Sequence, residues 1–298
     1  RRAIQLFEAS IGADPSFARA YEGLARAYSY LVGELWTISP EEALPKMREA
    51  ASRALELDGT LAEAQARLAL ARWYMEFDWE QSEPLFSRAL ALEPTNVFVI
   101  EEFAWFLQCT GRVEEGLELM KRAVAADPLN PITRGGLGWK LYFTRRFGRV
   151  IEEANRILER DPSFAWAYDL LGSSYWQLGD LEASHKAWRR YHELTGRPAW
   201  FLKAFDRGYE QGGFKGAKRE LLAAIREHDE GSISHVTRAG IACHGDQPEE
   251  ALIELEHALR RRDPLLVKIG TCPELDCVRS DPRFQDLLRE INWPGLEE

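Results

Sequence analysis

DPSFAWAYDLLGSSYWQLGDLEAS occupies residues 161–184. An Asp-Pro pair ends one helical pattern, and an aromatic-rich helix with Gly172 at its centre follows. A turn at Gly179 then leads into a second helix. The boundary of this stretch recurs along the chain. Glu93-Pro94, Asp127-Pro128 and Asp161-Pro162 are spaced by 34 and 34 residues, and Asp263-Pro264 lies 102 residues further on, three more periods. Asp14-Pro15 stands 79 residues before Pro94, two periods plus 11. The surplus sits mainly in GELWTISPEEALP (33–45), with one residue more near FDWE (77–80). The 33–45 insertion is expected to be an exposed loop lengthening the connection between the two helices of its unit.

The register can be checked inside the units. With the terminal proline set as position 32, position 8 is Ala25, Ala69, Ala104, Gly138, Gly172, Asp206 and Gly240. Small residues there let two helices approach to about 8–10 Å. Asp206 departs and leaves the register of its unit open. Position 27 is alanine in three units, at Ala54, Ala89 and Ala123.

A 34-residue helix–turn–helix period is the tetratricopeptide (TPR) signature. DPSFARAYEGLARAYSYL (14–31) and YDLLGSSYWQLGD (168–180) resemble TPR proteins, and the resemblance extends over almost the whole chain. The ending RRDPLLVKIG…VRSDPRFQDLLREINWP (261–294) resembles the terminal segment of TPR arrays fused to bacterial regulators with winged-helix, nucleotidyl cyclase or kinase domains. TCPELDC departs from the Asp-Pro pattern of such endings. The resemblance implies an all-α, right-handed superhelix, a single array over 1–298. Residues 1–13 would be a partial unit, 14–264 about seven units, and 265–298 a C-terminal cap. In the cap, Ser280 or Asp281 can N-cap a helix whose apolar stripe is Phe284, Leu287, Leu288 and Ile291. The chain opens on RRAIQLFEAS, already helix-patterned, and is expected to be cut from a longer protein.

In TPR proteins the first helix of each unit lines the concave side, and positions 2, 5, 9 and 12 face the groove. Spacings of 3, 4 and 3 keep those positions on one helical stripe. Here they would bring together Trp73, Phe98, Glu101, Trp105, Trp139, Tyr142, Trp166, Asp169, Trp176 and Trp200. The expected groove is aromatic in its middle units and polar at both ends. Trp79 and Trp188 fall on second helices or turns and read as core. Two readings compete: an open aromatic groove, or aromatics packed between units. An open groove suits an apolar or aromatic ligand with a basic group, such as a peptide or a tail or domain of the same protein. The groove positions hold no Asn and one Lys, Lys203, so the carboxylate clamp of chaperone-binding TPRs is not expected.

Composition narrows the function. A net charge of −10 argues against a nucleic-acid partner. No apolar run is long enough to span a membrane. Four cysteines do not make a disulfide framework, which suggests a reducing, cytoplasmic setting. Glu182/His185 and Glu254/His257 are E-x-x-H pairs, read as solvated helix neighbours. CHGD (243–246) with Cys272 and Cys277 has loose zinc-like spacing and reads as buried thiols. No nucleophile elbow, phosphate loop or zincin motif is present, and no catalytic residue, metal or cofactor is expected. The sequence points to a non-enzymatic interaction module, the regulatory part of a larger bacterial protein. A small-molecule sensor binding an apolar or cationic metabolite in the same groove is the alternative.

Overall fold

The computed structural model describes residues 2–33, 40–229, 231 and 233–296. The described residues are helical throughout, with no strand among them. A first helix, α1 (Arg2–Ala13), precedes a series of antiparallel pairs. The pairs are α2 (Ala18–Gly33) with α3 (Pro40–Leu57), α4 (Ala62–Glu76) with α5 (Trp79–Leu92), and α6 (Val97–Cys109) with α7 (Val113–Ala126). They continue with α8 (Pro131–Phe143) and α9 (Phe147–Leu158), then α10 (Ala165–Gln177) and α11 (Leu181–Leu194). Next, α12 (Ala199–His228) breaks at Gly212 and Gly213, so one assigned helix is again a pair. Gly213, at φ 61°, takes a backbone conformation costly to other residues. Then come α13 (His235–His244) and α14 (Pro248–Arg260), two short 3-10 turns (Pro264–Lys268 and Pro273–Leu275), and α15 (Pro282–Glu290).

The recurring Asp at unit boundaries has a local cause. Asp14, Asp58 and Asp161 each accept the backbone N–H two residues on, at 2.9 Å, and the hydroxyl of Ser16, Thr60 or Ser163. These turns reverse the chain between units. Asn96, Asn130 and Ser234 then cap the following first helices, while Asp78 and Asp180 cap second helices.

Within units, the helices cross at the expected small residues. A Cβ added to Gly116 would lie 2.6 Å from the Ala104 carbonyl oxygen, so α6 and α7 touch backbone to backbone. The hydroxyl of Ser82 donates to the Ala69 carbonyl (3.2 Å) and that of Ser184 to the Gly172 carbonyl (2.7 Å), pinning α4 to α5 and α10 to α11. In the kinked pair the contact residues are Gly208 and Gly216, whose added Cβ atoms would meet the opposite carbonyl at 2.5 and 2.4 Å. Asp206 is therefore not the crossing residue; the small residue sits two places later.

One expectation is corrected. Residues 34–39 of the 33–45 insertion lie outside the described residues, but 40–45 begin helix α3 rather than a loop. Ala43 and Leu44 are buried beside Tyr28 and Leu31, which draws this segment onto α2. The terminal cap also keeps the repeat: Pro248 and Pro282, each opening a second-type helix, are 34 residues apart. The 3-10 turns take the place of a first helix, and Asp281 caps α15 by accepting the N–H of Arg283. Phe284, Leu287, Leu288 and Ile291 form the buried face expected of it.

The C-terminal segment reaches far back along the chain. The Trp79 indole donates to the Ile291 carbonyl (2.9 Å), and the Trp293 indole to the Cys109 carbonyl (2.7 Å). Arg262 donates to the Met75 carbonyl (3.1 Å), and Arg145 pairs with Asp276 (2.6 Å). Val267 is buried in the core cluster of α2 to α6. The tail thus lies against the C-terminal ends of the first helices α4, α6 and α8.

Gly116→Ala tests the close crossing. Alanine improves helix propensity by about 1 kcal/mol, yet its Cβ must push two backbones apart. The expected net effect is a loss of about 1–3 kcal/mol, measured by urea unfolding; an unchanged or raised midpoint would contradict the contact.

Candidate binding face

The ten groove residues divide by burial. Trp73 and Tyr142, both at position 12, have no accessible surface. Trp73 packs on Trp79, Phe86 and Phe106, with ring centres 5.6, 6.5 and 5.2 Å away. Tyr142 packs on Trp139, Phe143 and Phe147 and accepts a hydrogen bond from Gln177 at 3.3 Å. These two are core residues and correct the expectation that they line open space, whereas Trp176, also at position 12, keeps some surface.

The other positions keep surface. Phe98 holds the Arg67 guanidinium 3.8 Å above its ring. The Trp105 indole donates to the Tyr74 hydroxyl at 3.1 Å. Glu101 and Trp139 are half-buried on α6 and α8. Asp169 accepts the Trp188 indole N–H at 2.9 Å, and Trp176 lies 4.1 Å from the His244 ring. Trp200 lines a surface cavity of about 280 Å³ with Lys203, Arg207 and His228. Trp166 is 44% exposed, and Ile132, at the equivalent position one unit earlier, 51%. Gly135 of α8 faces Phe164 and Trp166, so the exposed pair belongs to adjacent first helices. Trp79 and Trp188 are core, as their positions imply.

Position counting along first helices missed the cationic groups behind this face. Lys140 comes from position 10 of α8 and Lys218 from a second helix. Both are buried, and neither ammonium has a carboxylate within ion-pair distance among the described residues. Lys218 Nζ sits 3.3 Å over the Trp188 ring, and Lys140 Nζ lies 5.1 Å from the Trp105 ring centre. Burial pulls Lys218 down to about 7 and Lys140 to about 8. Desolvation pushes Asp169 up to about 6; Glu274 adds to this, while Lys218 and Lys268 oppose it. Glu274 and Lys268 both come from the tail, so this polar interior is assembled by the middle units and the C-terminal segment together. His244, between Trp176 and Trp188, has neither ring nitrogen bonded, and burial holds it well below the usual imidazole range.

The cysteines depart from the thiol reading. Cys243 and Cys277 form a disulfide (S–S 2.03 Å). Their separation of 34 residues, one repeat, puts them at equivalent heights on successive layers. Cys277 is thereby engaged, which removes the loose C-x4-C pairing with Cys272; Cys109 and Cys272 are buried and free. His185 stacks on Phe205 and Tyr209 at 4.5 and 3.6 Å, so it is a packed ring rather than a solvated neighbour of Glu182. No described helix is long and apolar enough to cross a membrane.

Two measurements follow. Trp73→Ala should cost about 3–5 kcal/mol of stability, as for a core aromatic. Trp166→Ala should cost under about 1 kcal/mol because its ring is near solvent. Equal losses in urea unfolding would contradict the division. The buried ionisable pair sets a pH dependence. Between about 7 and 10.5 the unfolded chain holds a proton on Lys218 that the folded chain lacks, so stability rises with pH there. Between 3.8 and about 6 the folded chain holds the extra proton on Asp169, a contribution that falls as pH rises and is opposed by His185, His192 and His244, which only the unfolded chain protonates there. Lys218→Met should reduce the first slope, which Lys140 shares, and Asp169→Asn should make stability climb more steeply through the second window; slopes identical to wild type in both variants would count against these assignments.

Comparison with known proteins gives structural likeness only. No family model matches the sequence, and no curated protein matches it. The human IFIT1 dimer, solved with m7Gppp-AAAA, is similar at 18% identity and TM-score 0.62, over 98% of this chain and 66% of that one. A tetratricopeptide repeat protein from Parabacteroides merdae is similar at 14% identity and TM-score 0.54, over 90% of this chain and 99% of that one. The type IV pilus biogenesis factor PilW shares 19% identity at TM-score 0.55, over 71% and 93% of the two chains. With helix pairs stacked at a 34-residue period, the chain has the tetratricopeptide-type fold, an all-α solenoid.

Proposed function

We propose that this chain is a non-enzymatic interaction module, the regulatory part of a larger bacterial regulator, which binds a protein or peptide segment along its first-helix face. The observation that carries this reading is the exposed apolar pair Ile132 and Trp166 on adjacent first helices, with partly exposed Phe98 at the same register one unit earlier and partly exposed Trp200 at the start of α12. Large side chains held open in a row, rather than scattered, are the usual anchor of a protein interface. The half-buried Trp105, Trp139 and Trp176 deepen the face behind that row. The net charge of −10 opposes a polyanion, so the RNA seen with human IFIT1 is not carried over to this chain.

A second reading, a small-molecule sensor, draws on a different observation. The buried Lys140 and Lys218, without ion-pair partners among the described residues, and the ring of His244, unbonded among them, suit a compact ligand with an anionic group beside aromatic rings. That reverses the basic ligand expected from Glu101 and Asp169 alone.

A displayed peptide library selected on the whole chain separates the two. Selected peptides should lose binding by tenfold or more on Trp166→Ala, about 1.4 kcal/mol or above, and be indifferent to Lys218→Met. Failure to enrich any peptide, or enrichment untouched by Trp166→Ala, would remove the peptide reading.

A further inference from the structure

Glu254 and His257, three residues apart on α14, are not simply solvated neighbours. Glu254 is 2% exposed, and His235, the first residue of α13, comes across to it. His235 Nδ1 lies 2.7 Å from Glu254 Oε2. The His235 and His257 rings meet edge to face with centres 5.4 Å apart. One donor atom from each of His235, Glu254 and His257 lies within 4.8 Å of the other two. A cavity of about 300 Å³ opens in front of them, and Arg226, Arg238 and Glu250 also line it.

Among the described residues the surrounding charges are paired, with one carboxylate in excess. Arg226 donates to Glu250 (2.7 Å) and, through two nitrogens, to Glu254 Oε1 (3.0 and 2.8 Å). Arg238 donates to Asp229 at 2.6 Å. Three carboxylates against two guanidiniums leave one negative charge beside two imidazoles. Arg226 occupies only Oε1 of Glu254, so Oε2 is the oxygen turned toward the histidines.

We propose that His235, Glu254 and His257 bind a divalent first-row transition ion of the zinc class. Two imidazoles and one carboxylate are a donor set zinc accepts, and imidazole suits Zn, Cu, Fe and Ni over Mg or Ca. Bonds of 2.0–2.1 Å in a tetrahedron put donor atoms about 3.3 Å apart. His257 is exposed, so a change of its side-chain rotamer closes the gap without moving a helix. The fourth position faces the cavity and takes water or a donor from a ligand. Arg226 orients Glu254 from behind, in the manner of groups that fix a metal's ligands through hydrogen bonds. The ion would tie the start of α13 to the middle of α14, bracing the last full unit. This site is separate from the aromatic face, and its test does not depend on that reading.

The test uses the whole chain stripped with a chelator. Calorimetric titration with Zn²⁺ should show one ion per chain, and Co²⁺ at the same site should give visible d–d absorption. His257→Ala leaves the buried core intact and should weaken binding by about 10–100-fold or more. His235→Ala should do the same, whereas His228→Ala, outside the cluster, should not. Matching melting temperatures of metal-free wild type and His257→Ala would show that the loss is not misfolding. Absence of Zn²⁺ binding, or binding that survives His257→Ala, would overturn the proposal. Stabilisation by inorganic phosphate in place of the metal would also overturn it and assign the cavity to Arg226 and Arg238.

Discussion

The architecture depends on close approach of helices at small residues, backbone against backbone in α6/α7 and in the two halves of α12. The Ala104 carbonyl leaves no room for a Cβ on Gly116, and Ser82 and Ser184 reach across to carbonyls of the facing helix. Helices held this closely present paired apolar faces to the next unit, which no unit could bury alone. The kinked pair follows the same rule by moving its small residue to Gly208 and its partner to Gly216. Helix separation, not any single side chain, sets the spacing of the stack.

That spacing decides what becomes of the aromatic residues. A first helix presents one stripe to the open side, but what stands beside its last turn differs from unit to unit. Trp73 and Tyr142 are enclosed by neighbouring rings and are core, although they continue the stripe that carries Trp105, Trp139 and Trp166; Trp176, at the same position, keeps some surface. Near the helix N-termini the neighbours diverge, and Ile132 and Trp166 stay in solvent. The same helices thus contribute both to stability and to an interaction surface.

The tail changes the chemistry of the interior. It keeps the 34-residue period in α15 but gives up a first helix, and its 3-10 turns bring Lys268, Cys272 and Glu274 beside Asp169 and Tyr142. Buried charges without direct partners are costly unless their charge state adjusts or a ligand satisfies them. The lowered Lys218 and raised Asp169 show that adjustment. The Cys243–Cys277 bridge fastens the tail to α13 at one repeat's distance.

The sequence by itself determined what recurs: the period, the helix boundaries, the small crossing residues, the cap at Asp281 and the core roles of Trp79 and Trp188. Each rests on contacts close along the chain or repeated at a fixed offset, so the pattern is written in neighbouring residues. Only the tertiary structure decided the groups that meet once. Position 12 could not be sorted into core or surface from spacing, because helical phase gives a direction and not what stands there. The Trp79–Ile291 and Trp293–Cys109 bonds, Lys218 over Trp188 and His235 beside Glu254 have no periodic signal that pairs them, and the one-repeat spacing of Cys243 and Cys277 does not by itself say that the two thiols meet. A stacked fold brings such residues together through the accumulated rotation of its units, a sum over the whole chain that no local stretch contains.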